Sequence, residues 1–77
     1  MLSGAAVSGE TVTPLERFPA PWNKEVTLQA VLHDSGLRML RIRIKEGTRF
    51  TVMDVDEDTA RRWGRAMVDW AGDGAAG

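Results

Sequence analysis

Residues 25–55 read EVTLQAVLHDSGLRMLRIRIKEGTRFTVMDV, and this stretch decides the fold. From Glu25 to Leu32 the chain alternates, with Val26, Leu28, Ala30 and Leu32 on one side and Thr27, Gln29, Val31 and His33 on the other. A period of two is the signature of a strand. Asp34-Ser35-Gly36 follows and suits a three-residue hairpin loop, with glycine in the left-handed position. Leu37 to Ile44 is the next strand, carrying Leu40, Ile42 and Ile44 on one side. Lys45-Glu46-Gly47 repeats the turn chemistry, and Thr48 to Val55 is the third strand.

Loop length sets the register. If both loops hold three residues, His33 faces Leu37, Ile44 faces Thr48, and every even position shares one side. That side gathers Val26, Leu28, Leu32, Ile42, Ile44, Phe50 and Val52. A two-residue loop at Glu46-Gly47 would instead set Arg49 and Thr51 beside Ile44 and Ile42, against the expectation that one face is buried. Odd-length loops are therefore expected.

After Val55 the period changes. Asp56 is a good N-cap, Glu57 and Asp58 complement the helix dipole, and Ala60, Trp63, Met67, Trp70 and Ala71 form one apolar stripe. Gly72 suits the C-terminal stop. Gly64 costs about 1 kcal/mol relative to alanine in a helix interior, which points to close approach by the sheet or another chain. The expected architecture is α+β: a three-stranded antiparallel β-meander with one C-terminal α-helix, Glu57 to Ala71, packed on one face.

The flanks are less regular. Residues 1–12 read as a disordered arm and residues 72–77 as a disordered tail, around a ββ β-α domain at 24–71. Residues 13–23 hold Pro14, Pro19 and Pro21 and read as an extended lead-in, with room for a short fourth strand at Leu15 to Arg17. Phe18 and Trp22 are expected against the core; docking of this segment as a polyproline ligand lacks the P-x-x-P spacing.

The chain has 77 residues, a net charge of −1 and no cysteine. One domain with a modest core is expected, without disulfides or thiolate metal sites. The charge balance disfavours a strong polyanion binder. The first residues lack the basic and apolar regions of a signal peptide, and no apolar run is long enough to span a membrane. A bacterial, cytoplasmic protein without membrane association is expected.

The odd positions form the side that the helix does not cover. In the expected register Val31, Met39 and Met53 lie in a row, with Leu37 and Val55 beside them. Arg41, Arg43 and Arg49 occupy the other half, and Arg43 opposite Arg49 is a like-charge pair. The favoured function is a non-enzymatic protein–protein interaction module or accessory subunit, a homodimer or bound to a protein partner, using this face. The competing readings are cover by the N-terminal segment through Leu15, Phe18 and Trp22, and weak single-stranded nucleic-acid binding through the arginines.

No catalytic residue, metal or cofactor is expected, and no enzymatic activity. His33-Asp34-Ser35 is not a triad, because triad members meet in space rather than along the chain. Asp54, Asp56 and Asp58 resemble the opening of an EF-hand loop, but Thr59 and Arg65 stand where glycine and glutamate are required. No Walker or dinucleotide fingerprint occurs.

The stretches Leu40-Arg41-Ile42-Arg43-Ile44-Lys45-Glu46-Gly47 and Asp56-Glu57-Asp58-Thr59-Ala60 resemble small uncharacterised proteobacterial proteins of the domain-of-unknown-function kind, and imply no activity. The strand–strand–strand–helix order is also similar to whirly and Pur-type repeats, a likeness of fold that does not carry function.

Overall fold

Alternation and turn chemistry do produce a meander, and it is longer than the alternating stretch. The computed structural model describes residues 9–72. Strands β1 (Glu10–Ala20), β2 (Lys24–His33), β3 (Arg38–Glu46) and β4 (Arg49–Val55) precede helix α1 (Glu57–Ala71). The strands form one antiparallel sheet in the order β1-β2-β3-β4. The sheet therefore has four strands, not three. Of the stretches expected to be disordered, 1–12 and 72–77, residues 1–8 and 73–77 lie outside the described residues, and Glu10 to Val12 belong to β1.

β1 occupies the segment expected to be an arm and a lead-in. Proline does not prevent this, because an edge strand needs only half of its backbone groups for pairing. A bulge between Pro14 and Glu16 leaves Leu15 unpaired against β2. Gly9 anchors the start of the strand: its carbonyl accepts from the Asp34 amide at 2.8 Å, with φ +79°. Leu15, Phe18 and Trp22 do not fold over the sheet, and the expected packing of Phe18 and Trp22 on the core is corrected. Trp22 lies in the β1–β2 loop, 86% exposed and with φ +59°.

The β2–β3 hairpin has the expected three-residue loop. His33 N–H donates to Leu37 at 2.9 Å, Gly36 takes φ +92°, and Val31 faces Met39. The β3–β4 hairpin differs. β3 runs on to Glu46, Glu46 faces Arg49, and the loop is Gly47-Thr48. Gly47, at φ +62°, holds the first loop position, where a type II′ turn needs positive φ. This register faces Ile42 with Met53 and Leu40 with Val55, and turns Phe50 and Val52 to the opposite side. The expected odd loop and the shared even face are therefore wrong for β4. The observed pairing satisfies more of the sequence: Arg41 faces Asp54 and Glu46 faces Arg49, replacing the like-charge Arg43–Arg49 pair with opposite-charge pairs.

α1 lies on the face carrying Leu28, Leu40, Ile42, Met53 and Val55, here the helix face. Asp56 caps it, accepting from the Thr59 amide at 2.8 Å, and Arg38 pairs with Glu57. α1 meets β3 and leaves much of β1 and β2 open, including a hollow of about 250 Å³ lined by Thr13, Ala30, Leu32 and Leu40. Among the described residues only Val31, Ile42 and Val55 are buried hydrophobics.

Candidate interaction surface

The open face, opposite the helix, is organised by charge. Glu10, His33, Arg41 and Asp54 come from β1, β2, β3 and β4 in turn. Arg41 donates to both Asp54 carboxylate oxygens at 2.8 and 2.9 Å, and reaches Glu10 at 3.5 Å; Glu10 lies 3.9 Å from His33. These hydrogen bonds from Arg41 hold the Asp54 carboxyl below the usual range, and the same bonds raise the Arg41 guanidinium. The cluster spans the sheet beside Val31, which is 1% exposed. It is a clip between strands, and Arg41 is not a free cation.

At the other end of this face Arg43 stacks over the Phe50 ring, 4.9 Å from its centroid. Arg17, Arg43, Lys45 and Phe50 line a shallow groove of about 690 Å³. Arg17 is paired with Glu25 at 3.1 Å.

The expected interface set is divided. Val31 and Met39 share the open face, and Leu37 precedes β3 at its turn, but Met53 and Val55 belong to the helix face. The basic set divides likewise: Arg41 and Arg43 stay on the open face, and Arg49 moves to the helix face opposite Glu46. Asp54 pairs with Arg41, and Arg38 with Glu57. Asp58 pairs with Arg61 at 2.8 Å, and among the described residues no group of three or more His, Asp or Glu could hold a metal ion.

The exposed apolar surface lies elsewhere. Along α1 the sheet side is thinly covered, and no helix residue is buried. Trp63 is 43%, Met67 59% and Trp70 89% exposed, contrary to the expectation that this stripe packs on the sheet. Ala60 and Gly64 are the half-covered positions of the stripe, so the bulky residues remain at its flanks. A Cβ at Gly64 would meet nothing within 4 Å, so close approach of the sheet does not explain the glycine. Leu32, Met53, Phe50 and Val52 add exposed apolar surface on the sheet. Sequence reasoning placed Trp63, Met67, Phe50 and Val52 in the core. No local signal marked them otherwise, because an apolar stripe reads alike whether it packs on its own sheet or stays exposed.

A family model matches residues 9–73, taking in β1 and all of α1. The chain belongs to the family of unknown function DUF6967. No curated protein and no solved structure matches it. The likeness to whirly and Pur-type repeats thus gains no support, and the family description adds no activity. Among the described residues no helix is long and apolar enough to cross a membrane.

Proposed function

We propose that this domain is a non-enzymatic protein–protein interaction module. The observation that carries this is the exposure of Trp63, Met67 and Trp70 along one stripe of a capped, amphipathic helix. Contiguous exposed apolar surface on a soluble fold marks a contact site, and tryptophan is the residue type most enriched at energetic centres of interfaces. The contact surface is thus the helix side and the adjoining β4 rather than the middle of the open face, which the Glu10–His33–Arg41–Asp54 clip occupies. A photoreactive phenylalanine analogue at position 70, compared with one at Arg62 on the polar side, tests this in cells. A discrete adduct from position 70 alone is expected. No adduct, or equal adducts from both positions, would overturn it.

The second reading is single-stranded nucleic-acid binding on the open face. The observation favouring it is Phe50, which the β4 register sets beside Arg43 and Lys45 as an exposed aromatic. It requires affinity that falls steeply with salt and weakens on Arg43→Glu; an oligothymidine that stays unbound at low ionic strength sinks it.

A further inference from the structure

The two edges of the sheet are not alike. β1 is guarded: Pro14 and Pro19 remove donors, a bulge interrupts the ladder, and Glu16 and Arg17 add charge. These are the devices by which edge strands avoid pairing with other chains. β4, at the other edge, reads Arg49-Phe50-Thr51-Val52-Met53-Asp54-Val55, with no proline, glycine or bulge.

The direction of its free backbone groups follows from the hairpin. Glu46 and Arg49 flank the two-residue loop and exchange hydrogen bonds with each other. Antiparallel pairs alternate between bonded and non-bonded. Arg49, Thr51, Met53 and Val55 therefore bond to β3. Phe50, Val52 and Asp54 turn their N–H and C=O groups outward, where the described residues offer no strand.

We infer that β4 is a docking edge and that its occupant is β4 of a second copy, antiparallel about a two-fold axis at Val52. This rests on the interaction reading above and names its partner. In that register Val52 faces its mate, Phe50 faces the partner's Asp54, and Thr51 faces the partner's Met53. All three outward residues of each chain are then bonded, and both helix faces lie on the same side, as a two-fold axis through the sheet requires. The result is one eight-stranded sheet. β3 and its mate stand three strand spacings apart, about 14 Å. That is wider than the 8–10 Å between closely packed helices. The space between the two copies of α1 suits large side chains, and α1 carries Trp63, Met67 and Trp70 exposed. With Met53 on the helix face, and Phe50 and Val52 along the same seam on the open face, these side chains expose on the order of 700 Å² per chain, taking about 150–250 Å² for a whole aromatic. A standard interface buries about 800 Å² per partner.

Native mass spectrometry and hydrogen exchange on the full chain test this. The wild type is expected at twice 8.5 kDa, with slow exchange at the amides of Phe50, Val52 and Asp54. Val52→Pro removes only an outward donor, so it is expected to fold, by circular dichroism, and to run as a monomer. Val52→Lys keeps the donor and adds an edge charge; it is expected to lose the dimer and to exchange rapidly at Phe50 and Asp54. Thr11→Lys on β1 is expected to leave the dimer intact. A monomeric wild type, or a dimer that survives both Val52 variants, overturns the pairing. If position 70 then still crosslinks to a different protein, the edge pairing fails and the interaction reading stands. If it crosslinks to nothing, both fail.

Discussion

Asp54 shows how one side chain ties the sheet together. Its carboxylate accepts two hydrogen bonds from Arg41 across the β3–β4 ladder, and its pKa is lowered in the folded chain. A depressed carboxyl contributes stability above its unfolded pKa and loses it as pH falls through the folded value. Stability is therefore expected to drop below about pH 4, and Asp54→Asn should flatten that part of the profile. At neutral pH this variant should cost about 1 kcal/mol, as an incompletely buried charge-assisted pair does. Chemical denaturation at pH 7 and pH 3 measures both. Trp22 is the opposite case, an exposed indole held at φ +59° with little buried surface in return. The left-handed conformation costs a non-glycine residue about 1–2 kcal/mol. Trp22→Gly is expected to raise the melting temperature; a fall would show that the indole has a contact that offsets the strain.

At the scale of elements, α1 is well made at its ends and under-used along its side. Asp56 caps it, Glu57 and Asp58 meet the dipole, and Gly72 ends it at φ +78°. All of these were legible in residues 56–72, because capping is local chemistry. Its packing was not legible, because a stripe of Trp63, Met67 and Trp70 looks the same whether it meets its own sheet or another chain. Gly64 separates the two. With nothing within 4 Å of a Cβ there, Gly64→Ala should stabilise the isolated chain by about 1 kcal/mol through helix propensity. A loss of stability in thermal melts would mean that another chain approaches the helix at that point.

At the scale of the whole molecule, three buried hydrophobic side chains among the described residues are a thin core for four strands and a helix. A fold of this kind gains from any partner that binds only its native state, and such linkage makes the melting temperature depend on concentration. The melting temperature is expected to rise as the chain is concentrated, and Val52→Lys should abolish the dependence. A wild-type melt that does not move with concentration would mean that the fold needs no second copy.

The sequence by itself determined β2, β3, the Asp34-Ser35-Gly36 loop, the helix and both of its ends, because alternation, turn glycines and capping act over a few residues. It left β1 obscure, because Pro14 and Pro19 suppress the strand signal and only an edge position tolerates them. It misled on the register of β4, where the odd-length loop expected from the apolar even positions is not the one formed. Phe50 and Val52 are apolar on one parity, Met53 and Val55 on the other, so the strand alone does not choose a side. The tertiary structure decided by pairing across the ladder: Arg41 with Asp54, Glu46 with Arg49, and Met53 beside Ile42 under the helix. The like-charge Arg43–Arg49 contact of the alternative register was its one visible flaw. Resolving it moved Phe50 and Val52 to the open face and left β4 as the unguarded edge.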